Sequence, residues 1–323
     1  MRMTRIGFHC SHEQYPPSEL LRWVKTAEAA GFQAAMCSDH IHPWTETQGH
    51  SGFAWSFLGA ALEATSLGFG VVTVPGGWRY HPAILAQAAA TLDEMYPDRF
   101  WLAAGSGEAL NERIVGRGWP DKAERNARLA EGVDIMRALW RGEEVTRDGP
   151  IPTEGARVYS LPARAPRVYG AALTPDTARF AGAWADGLIT TGRPPEDLQQ
   201  MQDAFVEGGG AGKPLVVQGA FALGRTAEEA LAEACHEWGS LFLEPDLLGN
   251  LRRIEDFEAA GAAMSPEDLE GKLPTVTSAQ EAIDWLGPMV ELGVAEIQLH
   301  CVNRRQDEFI DMFGSRVIPA LST

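Results

Sequence analysis

The sequence predicts a (β/α)8 TIM barrel with insertions. Eight short apolar runs alternate with helical patterns along the 323 residues, and no long linker separates them. The runs are apolar throughout rather than at every second position, which is typical of parallel strands covered on both faces. Eight such units favour a closed barrel, with a doubly wound open sheet as the alternative. Barrels of this kind commonly have this length, so we expect one domain over residues 1–323.

The predicted strands begin close to the N-terminus and recur to the end of the chain. They are residues 5–10, 32–38, 67–74, 99–107, 167–173, 186–192, 214–223 and 295–302. Helices follow the first four strands. Pro16 and Pro17 open the first helix and Gly31 closes it, and Pro82 stands at the expected start of the third. The second helix, residues 53–65, is apolar nearly all round and is therefore expected to be buried.

Two segments are expected to be insertions between units of the barrel. Residues 143–166 are rich in Pro and Gly and separate the fourth helix, which follows Asp121, from the fifth strand. Residues 240–280 are mostly helical and polar, and they interrupt the unit between the last two strands. The Gly-rich run 207–214 lacks the Lys-Ser/Thr ending of a P-loop, so it is interpreted as a surface connection.

Charge and cysteine content exclude several classes of partner and site. The formal net charge is −17 and the isoelectric point is near 4.9, which argues against binding to nucleic acid or to an anionic membrane. The four cysteines have no Cys-x-x-Cys spacing, so neither a zinc ribbon nor a disulfide scaffold is indicated. There is no signal-peptide core and no apolar run of about 18 residues, and we expect a cytoplasmic protein.

Polar side chains concentrate where the predicted strands end. The carboxyl ends of barrel strands meet at one face, and the active sites of such barrels lie there. Residues at the ends of five strands, most of them acidic, basic or hydroxyl-bearing, are therefore expected to converge. They are His9, Ser11, His12, Glu13, Ser38, Asp39, His40, Ser106, Gly107, Glu108, Asn111, Thr190, Thr191, Arg193 and His300. This concentration indicates an active site if the barrel forms.

The stretch SDHIHPWTETQGHSGFAW, residues 38–55, permits three interpretations. His40 and His42 alternate along the chain and could both ligate a metal, but the fourth to seventh strands contain no histidine to complete the set. His40 could instead be a base, because an imidazole titrates near neutral pH. The third interpretation is a polar loop in which His40 and Trp44 merely pack against the following helix. Glu13 and Glu108 at neighbouring strand ends favour the acid–base interpretation.

Longer motifs resemble those of a known family. The segments HEQYPPSELL, AEAAGF, SDHIHPW and RYHPAILAQAAATLDEMYPDRFWLAAGSGEALNE are similar to those of the bacterial luciferase-like oxidoreductases. Within that family they most resemble the branch typified by coenzyme F420-dependent glucose-6-phosphate dehydrogenase. The similarity is dense over residues 6–141, returns at 170–191 and is faint over 195–290. It implies a barrel that holds F420 or FMN at its mouth, and it implies a homodimer.

The resemblance also implies roles for individual residues. His40 matches the histidine that accepts the hydroxyl proton of the substrate, and Trp44 matches a tryptophan that holds the substrate. Glu108 matches the glutamate near the cofactor ring that is its proposed proton donor, and Glu13 matches an acidic residue of the same pocket. Asp39 matches an aspartate that contacts the cofactor. The further cofactor positions are Val72, Thr73, Ser106, Gly107, Asn111, Gly170, Ala171, Ala172 and Thr191.

Two backbone features follow from the resemblance. Family members have a non-prolyl cis peptide behind the ring, which would fall near Val72–Thr73. The run 170–172, followed by Thr174 and Pro175 at the start of a helix, matches the turn that binds the cofactor phosphate. A helix N-terminus offers unpaired N–H groups and a favourable dipole to such a phosphate.

The substrate and the direction of the chemistry stay open in the sequence. Relatives that use sugar phosphates bind the phosphate with cations, whereas this chain has Glu258 where a lysine is expected, with Arg193 and Lys272 near the other two positions. We therefore expect a small-molecule substrate other than glucose 6-phosphate, oxidised or reduced by hydride transfer. The alternatives are an FMN-dependent monooxygenase with a flavin reductase partner, a metal-dependent hydrolase using His40 and His42, and a barrel that only sequesters a flavin.

Overall fold

The computed structural model describes residues 3–322, apart from the side chains of residues 241, 245 and 246. Its centre is a closed barrel of eight parallel strands, so the predicted barrel is confirmed and the open-sheet alternative is wrong. In order around the barrel, the strands are β1 (Arg5–Cys10), β2 (Ala34–Cys37), β3 (Gly68–Thr73), β4 (Phe100–Ala104), β7 (Arg167–Ala171), β8 (Gly187–Thr191), β9 (Leu215–Leu223) and β11 (Glu296–Cys301).

Three short strands lie outside the ring. An antiparallel hairpin of β5 (Val145–Arg147) and β6 (Thr153–Ala156) falls inside the segment that the sequence marks as the first insertion. The third, β10 (Thr275–Val276), pairs in parallel with β9 at the end of the second insertion. The sequence did not predict these strands because each has only two to four residues.

The helices cover the outside of the barrel and fill the second insertion. They are α1 (Pro17–Ala29), α2 (Ala54–Ala64), α3 (Pro82–Met95), α4 (Ala109–Glu112), α5 (Lys122–Trp140), α6 (Pro175–Gly182), α7 (Pro195–Phe205), α8 (Ala227–Trp238), α9 (Pro245–Leu248), α10 (Ile254–Gly261), α11 (Pro266–Leu269), α12 (Ala279–Glu291), α13 (Gln306–Met312) and α14 (Ile318–Leu321). Among the described residues, none of these helices is long and apolar enough to cross a membrane.

The starts of the helices follow the signals in the sequence. Pro17 and Pro82 are the first residues of α1 and α3, where a missing backbone N–H costs no hydrogen bond. Asp121 caps α5 by accepting the backbone N–H of Glu124 at 2.9 Å. These caps fix where each connection leaves the barrel mouth and therefore where the strand-end residues point.

The lower part of the barrel interior is filled by large side chains. Trp101 and Tyr169 stack with ring centroids 5.1 Å apart. Gly70 faces Trp101 so closely that a Cβ atom there would lie 2.0 Å from the indole, which is why only glycine fits. The packed floor leaves the upper end of the barrel as the open end.

One side of the interior is polar, against the expectation of continuously apolar strands. Three polar residues of β11 lie against β1. Glu296 forms an ion pair with Arg5, and the side chain of Gln298 covers Gly7. The rings of His300 and His9 are in contact, with centroids 4.6 Å apart. Alternate β11 residues face the interior, so the polar character follows the two-residue period of a strand. The expectation that this strand is apolar on both faces is wrong, because the apolar residues 297, 299 and 301 of β11 all face the outer helices.

Candidate active site

The acidic and basic strand-end residues meet at the mouth of the barrel. Glu13 lies just beyond β1, His40 lies three residues beyond β2, and Glu108 directly precedes α4. The Nδ1 atom of His40 lies 2.5 Å from Oε1 of Glu13, and its Nε2 atom lies 3.8 Å from Oε2 of Glu108. Three side chains that are distant in sequence therefore form one cluster around an imidazole, as the strand ends predict.

Glu13 is a buried carboxylate that holds His40 from below. Its Oε2 atom accepts the hydroxyls of Ser11 at 3.0 Å and Ser38 at 2.8 Å. Burial alone would raise the pKa of Glu13, but His40 and Ser38 outweigh it and lower that pKa well below the usual range. Burial likewise opposes protonation of His40, yet Glu13 raises the pKa of His40 above its ordinary value. The pair is thus an ionised acceptor next to an imidazole that binds protons strongly.

Glu108 faces the other ring nitrogen of His40 from the solvent side. Its side chain keeps 36% of its surface exposed, against 1% for Glu13. Desolvation in the crowded mouth raises the pKa of Glu108, and the charge of Glu13 adds to the shift, while His40 opposes it. The two carboxyl groups around one imidazole therefore have pKa values shifted in opposite directions, which is the pattern of an acid–base site.

The other imidazoles near the cluster are held neutral. Burial lowers the pKa of His9 to about 4, and it also lowers the pKa values of His12 and His300. Nε2 of His300 donates to Oε1 of Gln14 at 3.1 Å, and Nδ1 of His12 lies 2.8 Å from the carbonyl of Gly52. His40 is consequently the member of this group of histidines that can be protonated near neutral pH.

Trp44 forms one wall beside His40. The two rings meet edge to face with centroids 4.9 Å apart. The other side of the indole packs on Phe257 of α10 at 5.2 Å, and the Trp44 backbone N–H donates to the side chain of Gln48. Trp44 is largely buried because α10, from the second insertion, covers it. The insertion therefore helps to shape the mouth.

Asn111 and Asp39 hold the backbone on either side of His40. The Oδ1 atom of Asn111 accepts the N–H groups of Ile41 and His42 at 2.9 and 3.1 Å. The carboxylate of Asp39 accepts the Thr73 hydroxyl at 2.7 Å on Oδ2. Both residues were predicted as cofactor contacts, and that role stays a prediction.

The sequence did not single out three further residues around Asp39. Arg79 Nη1 and the Tyr80 hydroxyl donate to Oδ1 of Asp39 at 3.2 and 3.0 Å, and Glu112 accepts from Arg79. Arg79 and Tyr80 lie in the quoted RYHPA motif, and Glu112 ends GEALNE. Their positions in those motifs were the available signal, but the contacts span more than 30 residues of sequence.

Small residues leave a space, called the recess below, at the ends of β3, β4 and β7. At the ends of β3, β4 and β7, the N–H of Gly105 donates to the carbonyl of Thr73, and a Cβ at Gly105 would lie 3.8 Å from that of Ala171. A side chain on Gly105 would therefore occupy the space next to Thr73 and Ala171. The predicted cis peptide near Val72–Thr73 is wrong: the described residues contain no cis peptide bond, and regular parallel pairing continues through Thr73.

Two of the remaining predicted cofactor positions accept hydrogen bonds from cationic side chains. Ser106 accepts a hydrogen bond from Lys122 at 2.6 Å, and Thr191 accepts one from Arg193 at 3.1 Å. Gly107 has a φ of +82°, which a side chain would strain.

In the predicted phosphate-binding turn, the glycine is required by the packing of α6 on β7. A Cβ at Gly170 would lie 2.4 Å from the Cβ of Ala181, so the glycine allows α6 to pack on β7. Ala172 continues the ladder to Ile189, and Thr174 caps α6 as predicted, with its hydroxyl accepting the N–H of Thr177.

Glu258 lies at the rim of the mouth. Its Oε1 atom accepts the backbone N–H of Glu46 at 3.1 Å, in the loop that contains Trp44. Arg193 donates to the carbonyl of Leu173 as well as to Thr191. Among the side chains that the structure describes, no three of His, Cys, Asp or Glu are grouped as metal ligands, His40 and His42 included.

Comparison with known proteins now decides the family. The sequence matches the luciferase-like monooxygenase family over residues 2–296. The chain belongs to this family. It is 34% identical to the F420-dependent glucose-6-phosphate dehydrogenase of Mycolicibacterium fortuitum, with 99% of both chains covered. The family confirms the predicted oxidoreductase class.

Solved luciferase-like structures agree with the fold. An F420-dependent secondary alcohol dehydrogenase in complex with an F420–acetone adduct superposes with a TM-score of 0.90 at 28% identity, covering 99% of both chains. A monooxygenase of Streptomyces bottropensis superposes with a TM-score of 0.72 at 19% identity, covering 98% of this chain and 99% of its own, and shows the fold alone. The first of these structures and the curated relative are both named as F420-dependent, in agreement with the predicted cofactor pair of F420 or FMN.

Proposed function

We propose that this protein is an F420-dependent oxidoreductase that interconverts a small alcohol and its carbonyl compound. The observation that supports this most strongly is the contact between His40 and the buried carboxylate of Glu13 at the mouth of a luciferase-like barrel. An alcohol that loses hydride must also lose its hydroxyl proton, and a positioned imidazole is suited to accept it. The named functions of the curated relative and of the secondary alcohol dehydrogenase support the same reaction type.

The side chains have distinct roles in this proposal. His40 accepts the hydroxyl proton on Nε2, the nitrogen that faces the mouth, while Glu13 stabilises the imidazolium that results. Glu108, with its raised pKa, can hold a proton beside the reacting groups. Trp44 gives the substrate an apolar wall and excludes water on that side. The deazaflavin ring of F420, when bound, supplies the hydride acceptor.

The recess supports the binding of a planar ring. Gly105 has space beside Thr73 and Ala171, which the edge of the ring would enter, and Ser106, Asn111 and Thr191 are the proposed polar contacts of the cofactor. The other proposed cofactor-binding residues are Asp39, Val72, Gly107, Gly170 and Ala172. Electrons move in pairs in this chemistry, so no oxygen and no reductase partner are required.

An uncharged substrate suits the charges of the site. The mouth has carboxyl groups at Glu13 and Glu108, and Glu258 is at its rim. Arg193, near an expected phosphate-binding position, instead bonds to Thr191 and Leu173. A phosphate dianion would be repelled by these carboxylates in a site of low dielectric. We therefore propose a small neutral alcohol or ketone rather than glucose 6-phosphate.

An apolar face on α2 and α3 supports the predicted homodimer. Phe53 and Ile84 are exposed there at 56% and 58%, and they line a groove with Trp55, Tyr80 and Leu85. Exposed apolar patches of this kind are typical of protein interfaces. A sedimentation measurement giving a dimer that Ile84→Glu dissociates, while Tyr159→Glu does not, would support this face.

The four unpaired cysteines agree with the predicted cytoplasmic location.

Replacing His40 tests the proposed base. We expect His40→Ala to lower kcat for alcohol oxidation by roughly 10²- to 10⁴-fold, because that is the usual contribution of a general base. Its dissociation constant for F420 should stay within about tenfold of the parent value, or about 1.4 kcal/mol. His50→Ala, in the same loop, is the matched control. If His40→Ala lost F420 binding but kept its rate per bound cofactor, His40 would not be the base.

A further inference from the structure

Arg79 joins three parts of the mouth through its guanidinium group. Its Nη2 atom donates to the backbone carbonyl of Asp39 at 2.6 Å, and Nη1 donates to the Asp39 carboxylate at 3.2 Å. Asp39 directly precedes His40. Arg79 thus fixes both the side chain and the peptide group of the residue from which His40 extends.

Glu112 holds the other side of the same guanidinium. Its two oxygens accept Nε of Arg79 at 3.3 Å and the Arg79 backbone N–H at 3.2 Å. Arg79 also stacks on Tyr80 with its central carbon 4.5 Å from the ring centroid. A planar group with donors in a fixed fork can make all these contacts at once, and a lysine cannot.

The short helix α4 therefore controls both flanks of His40. Asn111 binds the backbone N–H groups of the two residues after His40, and its neighbour Glu112 binds Arg79, which binds the residue before His40. The backbone on both sides of His40 is therefore held by contacts that lead to Asn111 and Glu112, which are adjacent on one turn of α4. Such a frame determines where the imidazole points.

The charged groups of this network are buried, and burial raises the pKa of Glu112 to about 7. One cation, Arg79, serves two carboxylates, Asp39 and Glu112, and all three side chains are at most 7% exposed. Buried ion pairs of this kind contribute little net stability compared with apolar packing. Their value here is geometric, since each removes freedom from the backbone around the base.

We propose that Arg79, anchored by Glu112, is a positioning residue that aligns His40 with Glu13 through Asp39. This inference rests on the proposed function only in that His40 is the base of that reaction. The alignment itself can be measured without cofactor or substrate. It assigns a purpose to two charged residues that do not belong to the His40 cluster.

Arg79→Lys is the direct test, because it keeps the charge and removes the fork. We expect the His40 imidazole to move away from Glu13, so its pKa, followed by NMR titration of the ring C–H signal, should fall toward the ordinary value. His40→Ala assigns that signal. We expect kcat to fall by roughly 10- to 100-fold, as misplacement of a catalytic group does. Arg128→Lys is the control, since Arg128, like Arg79, lies over an aromatic ring, that of Trp78, and pairs with a carboxylate, that of Glu124.

The two readouts separate the possible failures. An unchanged His40 pKa and kcat in Arg79→Lys, with only a lower Tm, would overturn the positioning role. If Arg79→Lys does not fold, the isosteric Glu112→Gln takes its place, with a fall of the His40 pKa expected and an unchanged pKa contradicting the proposal. If F420 proves not to be used at all, the NMR titration still decides the alignment, so the two proposals can fail independently.

Discussion

At the scale of single residues, the site depends on the different surroundings of chemically similar groups. Glu13 and Glu108 are both glutamates, but hydroxyl donors and His40 surround the first, whereas the second is desolvated in the mouth. Four histidines lie close together, yet burial keeps His9, His12 and His300 neutral while Glu13 favours the protonated form of His40. Acid and base roles are therefore set by neighbours rather than by residue type.

Replacing Glu13 should move the pH profile in a defined direction. Glu13 raises the pKa of His40, and His40 must be deprotonated to accept a proton from an alcohol. The rate of oxidation should therefore rise with pH through the raised pKa of His40. In Glu13→Gln that rising limb should shift to lower pH, measured as kcat/KM from about pH 5 to pH 9.

The isosteric amide keeps the volume, and Glu144→Gln, directly before the hairpin, is the control. A limb that stays in place in Glu13→Gln would mean that another group titrates in the profile.

The sequence predicted the cluster of Glu13, His40 and Glu108 because strand ends of a barrel meet at one face. It did not predict the network of Arg79, Tyr80 and Glu112. Those contacts depend on how a loop after β3 folds back over β2 and α4, and no periodicity encodes such a fold. Distances and pKa directions likewise depend on burial, which a single sequence does not contain.

At the scale of elements, the small residues at the ends of β3, β4 and β7 are as important as the charged ones. Gly105 bonds through its backbone to Thr73, and it lies next to Ala171. The cis peptide that the resemblance implied near Val72–Thr73 is wrong, because the described residues contain no cis peptide bond and regular pairing continues through Thr73. Local backbone geometry was the least predictable property of these elements.

A side chain that fills the recess should weaken cofactor binding without unfolding the barrel. A Cβ at Gly105 would make only ordinary contacts, at 3.8 Å and beyond, so valine is tolerated there but its methyl groups enter the ring space. We expect Gly105→Val to weaken F420 binding by at least about tenfold, or about 1.4 kcal/mol, with an unchanged Tm.

Gly118→Val is the matched control, because a Cβ at Gly118 has no atom within 4 Å. Equal F420 affinity in Gly105→Val and in the parent protein would place the ring elsewhere.

At the scale of the whole molecule, the barrel and its second insertion contribute different parts of the site. The barrel brings acid–base residues and the recess to one end, and α10 covers Trp44 with Phe257. The net charge of −17 fits the acidic mouth and a neutral substrate better than a phosphorylated one. The closed barrel was predictable from eight repeated units, whereas the contacts of the insertion were not, because its helices are short and its resemblance to relatives is faint.

In the proposed reaction, the protein binds F420 and transfers hydride without oxygen. One measurement tests it most directly: the purified protein is titrated with F420 and with FMN by tryptophan fluorescence, and each loaded form is then mixed anaerobically with a series of small neutral alcohols. We predict quenching by F420 at lower concentration than by FMN, followed by loss of the F420 absorbance as it is reduced. Binding of FMN alone, or turnover that requires oxygen, would contradict the account.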